Sequence, residues 1–304
     1  MTSFLRFASR AAIALSLFAT ATLTFGQDGA TPGSCAFQRL IIPGPAGSKP
    51  APNAINNAGA IVGAYFDSQS SEHGFLFSNG KFASFKFPGS KNSSASDINN
   101  HGQIIGSFDA FNGNGQRAFT VLNGSFRQIA IPGFPDAPAV GTGVNDNGDL
   151  VGGFNKVGTN VGFRIRAGRL TTLSFPGATG GTTATSINNS GIIIGTYKQF
   201  QDDDPNNRGF SWNNGTFSNI DFPGAVSTSP EKVSSLGDIV GTYVDVHGIS
   251  HGFALDKGKF TTINAPNSST MGTAVTGVNI FDTVVGGTFT GGFGTFRANC
   301  RKQF

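Results

Sequence analysis

The apolar positions of this chain fall in short runs that turn residues close off. Ile55 leads into Asn56-Asn57-Ala58-Gly59, after which Ile61-Val62-Gly63 resumes and ends on Tyr65. Asn and Gly tolerate the left-handed backbone of a tight hairpin, so the stretch reads as strand, turn, strand. A third run opens at Gly74-Phe75 and reaches another turn at Asn79-Gly80. Phe82, Phe85 and Phe87 then stand at fixed offsets before Pro88. Proline has no N–H for the next ladder position and ends the run. The pattern predicts four short strands in succession.

The same pattern recurs along the chain. Ile55 to Gly63 reappears as Ile98 to Gly106, Val144 to Gly152, Ile187 to Gly195, Val233 to Gly241 and, more weakly, Val278 to Gly286. Successive copies of the closing glycine lie 43, 46, 43, 46 and 45 residues apart. A second anchor, Gly-Phe or Ala-Phe, places Phe75, Phe119, Phe163, Phe210, Phe253 and Phe293 in the same order. A third is Pro43, Pro88, Pro132, Pro176, Pro223 and Pro266. The second strand ends on an aromatic at Tyr65, Phe108, Phe154, Tyr197 and Tyr243, a position that uses all 3 tyrosines of the chain.

Four strands in about 44 residues is the size of a β-propeller blade. Stacked blades need apolar side chains on both faces, and a run such as Ile192-Ile193-Ile194-Gly195 fits that need. Flat Phe rings fill the space between twisted sheets at modest entropy cost. A solenoid would need polar caps, and neither terminus resembles one. The termini instead complement each other: Phe37 to Gly44 matches a fourth strand alone, and Val278 to Arg297 matches three strands with no fourth. We therefore expect an all-β, six-bladed β-propeller in one domain over residues 27–304, closed by the N-terminal strand completing the last blade. That pairing brings Cys35 and Cys300 to one hairpin mouth, as the short reach of a disulfide demands. Chain-entropy models assign so long a loop roughly 5 kcal/mol.

Composition agrees with this architecture. Gly contributes 44 and Phe 30 of the 304 residues, and 12% are charged against the usual quarter or so. Helical proteins need more charge and less glycine, and 11% aromatic residues leave too much to bury for disorder. Residues 1–26 read as a secretory signal peptide, with Arg6 and Arg10 ahead of the uncharged run Ala11 to Leu17 and small residues after it. The run is too short to span a membrane, so we expect a secreted or periplasmic product with no transmembrane segment. Oxidising conditions there favour the cysteine pair. Without the leader, 19 basic residues face 17 acidic ones, a net charge of +2. No basic cluster stands out, so no nucleic-acid partner is expected, and the chain reads as a monomer.

The unit also resembles a known family. Gly74-Phe75-Leu76-Phe77-Ser78-Asn79-Gly80-Lys81-Phe82, with Phe87-Pro88-Gly89 and the Ile-Asn-Asn-x-Gly-x-Ile-Val-Gly stretch, is similar to bacterial extracellular HAF-repeat proteins. The His-Ala-Phe position reads His73-Gly74-Phe75, Arg117-Ala118-Phe119, Arg208-Gly209-Phe210 and His251-Gly252-Phe253, while Val161 and Gly291 depart. The resemblance covers nearly all of the mature chain and implies an exported bacterial protein. It carries no activity and no catalytic residues.

Candidate chemistry is sparse. The Asn-Asn-x-Gly and Asn-Gly turns share one face and read as structural. The opposite face carries the longer, variable connections, where binding normally resides. Asp136 and Glu231 are the acids of the segments after each Pro, and no carboxylate pair for glycan hydrolysis emerges. Asp202-Asp203-Asp204 offers hard oxygen ligands for calcium, and Asp245, His247 and His251 offer mixed donors for a metal. No other cofactor is expected. The reading is an exported binding module for a neutral glycan or a protein. The alternatives are a metal-assisted hydrolase or lactonase, a polysaccharide lyase, or a structural envelope protein.

Overall fold

The computed structural model describes residues 35–110, 113, 115–199, 206–266, 268, 272–288 and 294–300. Its strands form six four-stranded antiparallel sheets. Blade 1 consists of Ala51–Ile55, Ile61–Phe66, Glu72–Ser78 and Lys81–Phe85. Blades 2 to 5 repeat that order, opening at Ser93, Ala139, Thr182 and Ser227. Blade 6 takes Thr273–Val278, Thr283–Thr288 and Gly294–Asn299, and Ala36–Arg39 joins it as the fourth strand. The first strands of successive blades contact one another all the way round, blade 6 against blade 1 included, so they surround the axis of a closed six-bladed β-propeller. Cys35 and Cys300 form a disulfide, with Cα atoms 4.1 Å apart, at the seam between the chain ends. No helix long and apolar enough to cross a membrane occurs among the described residues.

The repeated residues have distinct physical tasks. At Asn79-Gly80, Asn123-Gly124 and Asn214-Gly215 both turn residues have positive φ, the backbone of a tight hairpin that keeps the strand twist. The glycine that closes each Ile-Val-Gly stretch is required by crowding. A Cβ on Gly63, Gly152 or Gly195 would lie 2.8 Å from the ring of Phe75, Phe163 or Phe210, and would overlap the carbonyl of Ala51, Val140 or Thr183. Those rings are completely buried. Beside each such glycine the first strand bulges by one residue, at Asn53, Ser96, Thr142, Thr185, Glu231 and Thr276.

The apolar core lies between blades. Each cluster joins the fourth-strand end of one blade to the second and third strands of the next, as with Ile129 and Ile131 against Phe154 and Phe163. Phe87, Phe175 and Phe222, each directly before a Pro, stack on Phe108, Tyr197 and Tyr243 of the following blade. Their ring centroids are 3.7–3.9 Å apart. Blade 6 corrects one expected register. The ring opposite Gly286 is Phe296, only 5% exposed, and Phe293 lies outside the described residues. The pairing of Gly286 fixes which ring enters the core, and the glycine-rich approach to the strand is three residues longer than anchor spacing suggested.

Candidate functional site

The axis is lined by polar side chains held in rings. At the turn face, the Asn that opens the turn in every blade but the fifth uses both ends of its amide. Its Oδ1 accepts the N–H that closes its own turn, as Asn145 does from Asp149 at 2.9 Å. Its Nδ2 donates to the same carbonyl of the next blade: Asn56 to Asn99, Asn99 to Asn145, Asn145 to Asn188, Asn188 to Ser234 and Asn279 to Asn56, over 3.0–3.3 Å. The second Asn accepts the backbone N–H of the preceding blade's equivalent residue, as Asn100 does from Asn57 and Asn189 from Asp146. The turns are thus the inter-blade fastening. They enclose a cavity of about 40 Å³, room for a few water molecules.

One layer further in, Asp97 of blade 2 and Lys232 of blade 5 meet across the axis in a salt bridge. Asp97 also accepts the N–H of Val144 at 3.0 Å, which ties it to blade 3. Small residues fill this layer in the other blades, Ala54, Gly143, Ser186 and Gly277, so the pair has room to close.

The bulged residues form the next layer. Asn53, Thr142, Thr185 and Thr276 donate from their side chains to a carbonyl of the next blade's first strand, at 2.7–2.9 Å. Glu231 holds the same place in blade 5. It lies within a strand and not in a post-Pro loop, because that strand begins at Ser227, soon after Pro223. Its side chain keeps partial access to the channel, yet the protein crowded round it removes water and pushes its pKa up to about 7.

On the variable face the structure gathers a carboxylate pair that spacing did not reveal. Glu72 begins the third strand of blade 1 and Asp109 ends the second strand of blade 2. Asn92 bridges them, accepting the Glu72 N–H at 2.9 Å and donating to Asp109 Oδ2 at 2.6 Å. Burial and then the Asp109 charge push the Glu72 carboxyl above its ordinary range. Phe66, the register partner of Glu72, stands 61% exposed on the same side of the sheet.

The sequence-derived metal candidates are placed as follows. Asp202, Asp203 and Asp204 lie outside the described residues. His251 Nε2 meets Asp245 Oδ2 at 3.1 Å, while His247 contributes its backbone N–H to Asp245 Oδ1. The same clasp recurs in blade 1, where His73 meets Asp67 at 2.8 Å. Both imidazoles stack on the second-strand tyrosines, Tyr65 and Tyr243, so the His of the repeat fastens the second-to-third strand hairpin. Backbone N–H bonds, from Ser71 to Asp67 and from Ile249 to Asp245, and then the His bonds hold both carboxyls below the usual range. Among the described residues no three His, Cys, Asp or Glu side chains gather as a metal-holding group.

Charge needs one further correction. The sequence showed no basic cluster, yet blade 3 brings Arg164, Arg166 and Arg169 round one concavity. The signal was the Arg-x-Arg-x-x-Arg run across a hairpin turn, whose two strands place all three side chains together.

No family model matches the chain, and no curated protein matches it. Solved structures do. The β-propeller domain of the Trilobed protease from Pyrococcus furiosus aligns with a TM-score of 0.53 at 12% identity, covering 82% of this chain and 78% of that one. TolB from Acinetobacter baumannii aligns at 0.52 and 10% identity, over 79% of this chain and 63% of that one. A mutant Aleuria aurantia lectin in complex with Fucalpha1-6GlcNAc aligns at 0.51 and 12% identity, over 84% of this chain and 96% of that one. At such identity the likeness establishes the propeller fold and leaves activity to this chain's own residues.

Proposed function

We propose that the chain is an exported propeller binding module that takes a neutral glycan on its variable face, where blades 1 and 2 meet. The observation that carries this reading is Phe66, an aromatic ring 61% exposed beside polar groups already held in place by Asn92. A flat exposed ring stacks on the apolar face of a sugar, and preorganised amide and carboxyl groups hydrogen-bond its hydroxyls. Export is supported by the leader-like first 26 residues and by the disulfide. The full chain, screened on a glycan array, is expected to bind a defined set of glycans. Phe66→Ala is expected to weaken that binding by at least about tenfold, the scale of one aromatic anchor. An empty array, or a variant that binds like the parent, overturns the reading.

The enzymatic alternative has one observation in its favour. Burial and the neighbouring Asp109 charge push the Glu72 carboxyl up, the direction that the general acid of glycan chemistry needs. The two readings separate on Glu72→Gln: it abolishes turnover of any bound glycan if the chain is an enzyme.

A further inference from the structure

On the turn face, the rim of blade 3 departs from its five counterparts. Its third strand, Thr159–Arg166, and fourth strand, Arg169–Leu173, meet at Ala167-Gly168. Register sets Arg166 directly opposite Arg169, and Arg164 opposite Thr171. At the same hairpin position the other blades pair Ser78 with Lys81, Leu122 with Ser125, Asn213 with Thr216, Asp256 with Lys259 and Asn299 with Ala36. Like charges directly opposite on a sheet are destabilising. Repetition thus supplies an internal control, and blade 3 alone sets two guanidiniums face to face.

One buried carboxylate, Asp149, serves the group. Arg164 Nη2 donates to its Oδ2 at 2.7 Å, and Arg166 Nε approaches its Oδ1 at 3.3 Å. Arg169 has no ion pair or hydrogen bond among the described residues, and the Nε of Arg164 is buried without a hydrogen-bond partner. Gly191 of blade 4 backs the Arg164 guanidinium so closely that a Cβ there would lie 3.3 Å from Nη2. The three arginines, with Ala167 and Thr171, line a concavity of about 370 Å³. Three guanidiniums against one carboxylate leave two positive charges uncompensated.

We propose that this concavity binds a phosphomonoester carried on a small molecule. A phosphate ester bears close to two negative charges at neutral pH, which matches the uncompensated pair. Planar guanidinium forks meet its oxygens in bidentate fashion, and the Thr171 hydroxyl adds a donor. The concavity exceeds a bare phosphate in size and accommodates the esterified group as well. Bound anion also relieves the Arg166–Arg169 repulsion that the hairpin otherwise carries.

The test is calorimetric titration of the full chain at low salt with glucose 6-phosphate, inorganic phosphate and glucose. Glucose 6-phosphate and inorganic phosphate are expected to bind, and glucose to show no binding here. The exposed double variant Arg166→Ala/Arg169→Ala should lose at least about tenfold in affinity, as loss of charge-assisted bonds implies. Its melting temperature without ligand should be no lower than the parent's, which shows that the fold is intact. Arg127→Ala, an exposed arginine on the fourth strand of blade 2, should bind like the parent. Absence of binding at millimolar concentration overturns the proposal, as does a double variant that binds normally. Binding of inorganic phosphate without the sugar phosphate overturns the assignment to an ester.

Discussion

Each inner polar residue of this propeller is suited to its layer by what it can donate. The bulge layer asks for a donor, because the group it faces is a carbonyl of the next blade. Thr142, Thr185, Thr276 and Asn53 supply one. An ionised Glu231 has acceptors only, whereas a protonated one gains an O–H. Geometry and desolvation therefore favour the same protonated state, in keeping with a carboxyl moved from 4.5 to about 7. The consequence for stability has a definite sign. Below the unfolded value both states hold the proton and Glu231 contributes no pH dependence. As pH rises from about 4.5 to about 7, the unfolded chain releases a proton that the folded chain retains, so this contribution to stability is progressively lost. Glu231→Gln removes that loss. The variant should gain about 1–3 kcal/mol on the parent between acidic and mildly alkaline pH, the upper end being the full shift and the lower allowing for channel access. Denaturant unfolding of both proteins at the two pH values measures it, and parallel pH profiles would refute it. None of this was legible in the sequence, where Glu231 reads as a loop acid, because the bulge that turns it toward the axis depends on a partner strand.

Among elements, the blades were legible and their fastening was not. Tight turns, Gly-Phe anchors and Pro stops recur at fixed offsets, and local chemistry alone explains them. The Asn-Asn pair reads as turn chemistry for the same reason, since its cross-blade partner is a carbonyl 43 residues away or more. The bound turn also shows which residue needed the left-handed backbone: Gly59, Gly102, Gly148 and Gly191, not the asparagines. Repetition then exposes the weak link. Blade 5 has Ser234 where the others have Asn. Its hydroxyl accepts from Asp238 N–H at 3.1 Å, copying the turn-closing bond, but it is too short to reach the next blade. The link from blade 5 to Asn279 is the one missing from the ring. Ser234→Asn restores both functions and is expected to stabilise the protein by about 1 kcal/mol, the worth of one buried hydrogen bond. The reverse change, Asn145→Ala, strands the buried Asp149 N–H and takes one of two donors from the Asn188 carbonyl, and should cost about 1–3 kcal/mol. Paired melting curves decide, and a Ser234→Asn variant no more stable than the parent removes the donor argument.

For the whole molecule, closure rests on four residues of N-terminal strand. Ala36–Arg39 pairs with the third strand of blade 6, Phe37 packs edge-on to Phe296 at 5.3 Å, and Thr295 bonds Leu40 in both directions. A strand that short near a chain end frays unless it is tied down. Cys35 lies one residue before the strand and Cys300 one residue after its partner, so the disulfide locks the last rung at no cost in register. The two cysteines are 265 apart in sequence, so the bond also constrains almost the entire unfolded chain. The double variant Cys35→Ala/Cys300→Ala is expected to lose about 2–5 kcal/mol. Where the loss appears distinguishes two contributions. If the bond acts only through unfolded-chain entropy, amide exchange in the folded ring keeps its pattern. If it also holds the seam, protection falls first in Phe37–Arg39, then in blade 6 and the first strand of blade 1, while blade 3 across the ring stays protected. We expect the second pattern, because the blade 5 to blade 6 junction has the small residues Ala265 and Thr288 where three junctions stack Phe on Tyr or Phe and the other two pack Ile131 with Phe154 and Ile42 with Tyr65. Blade 6 thus depends on the seam more than any other blade does, and uniform exchange round the ring would overturn that dependence.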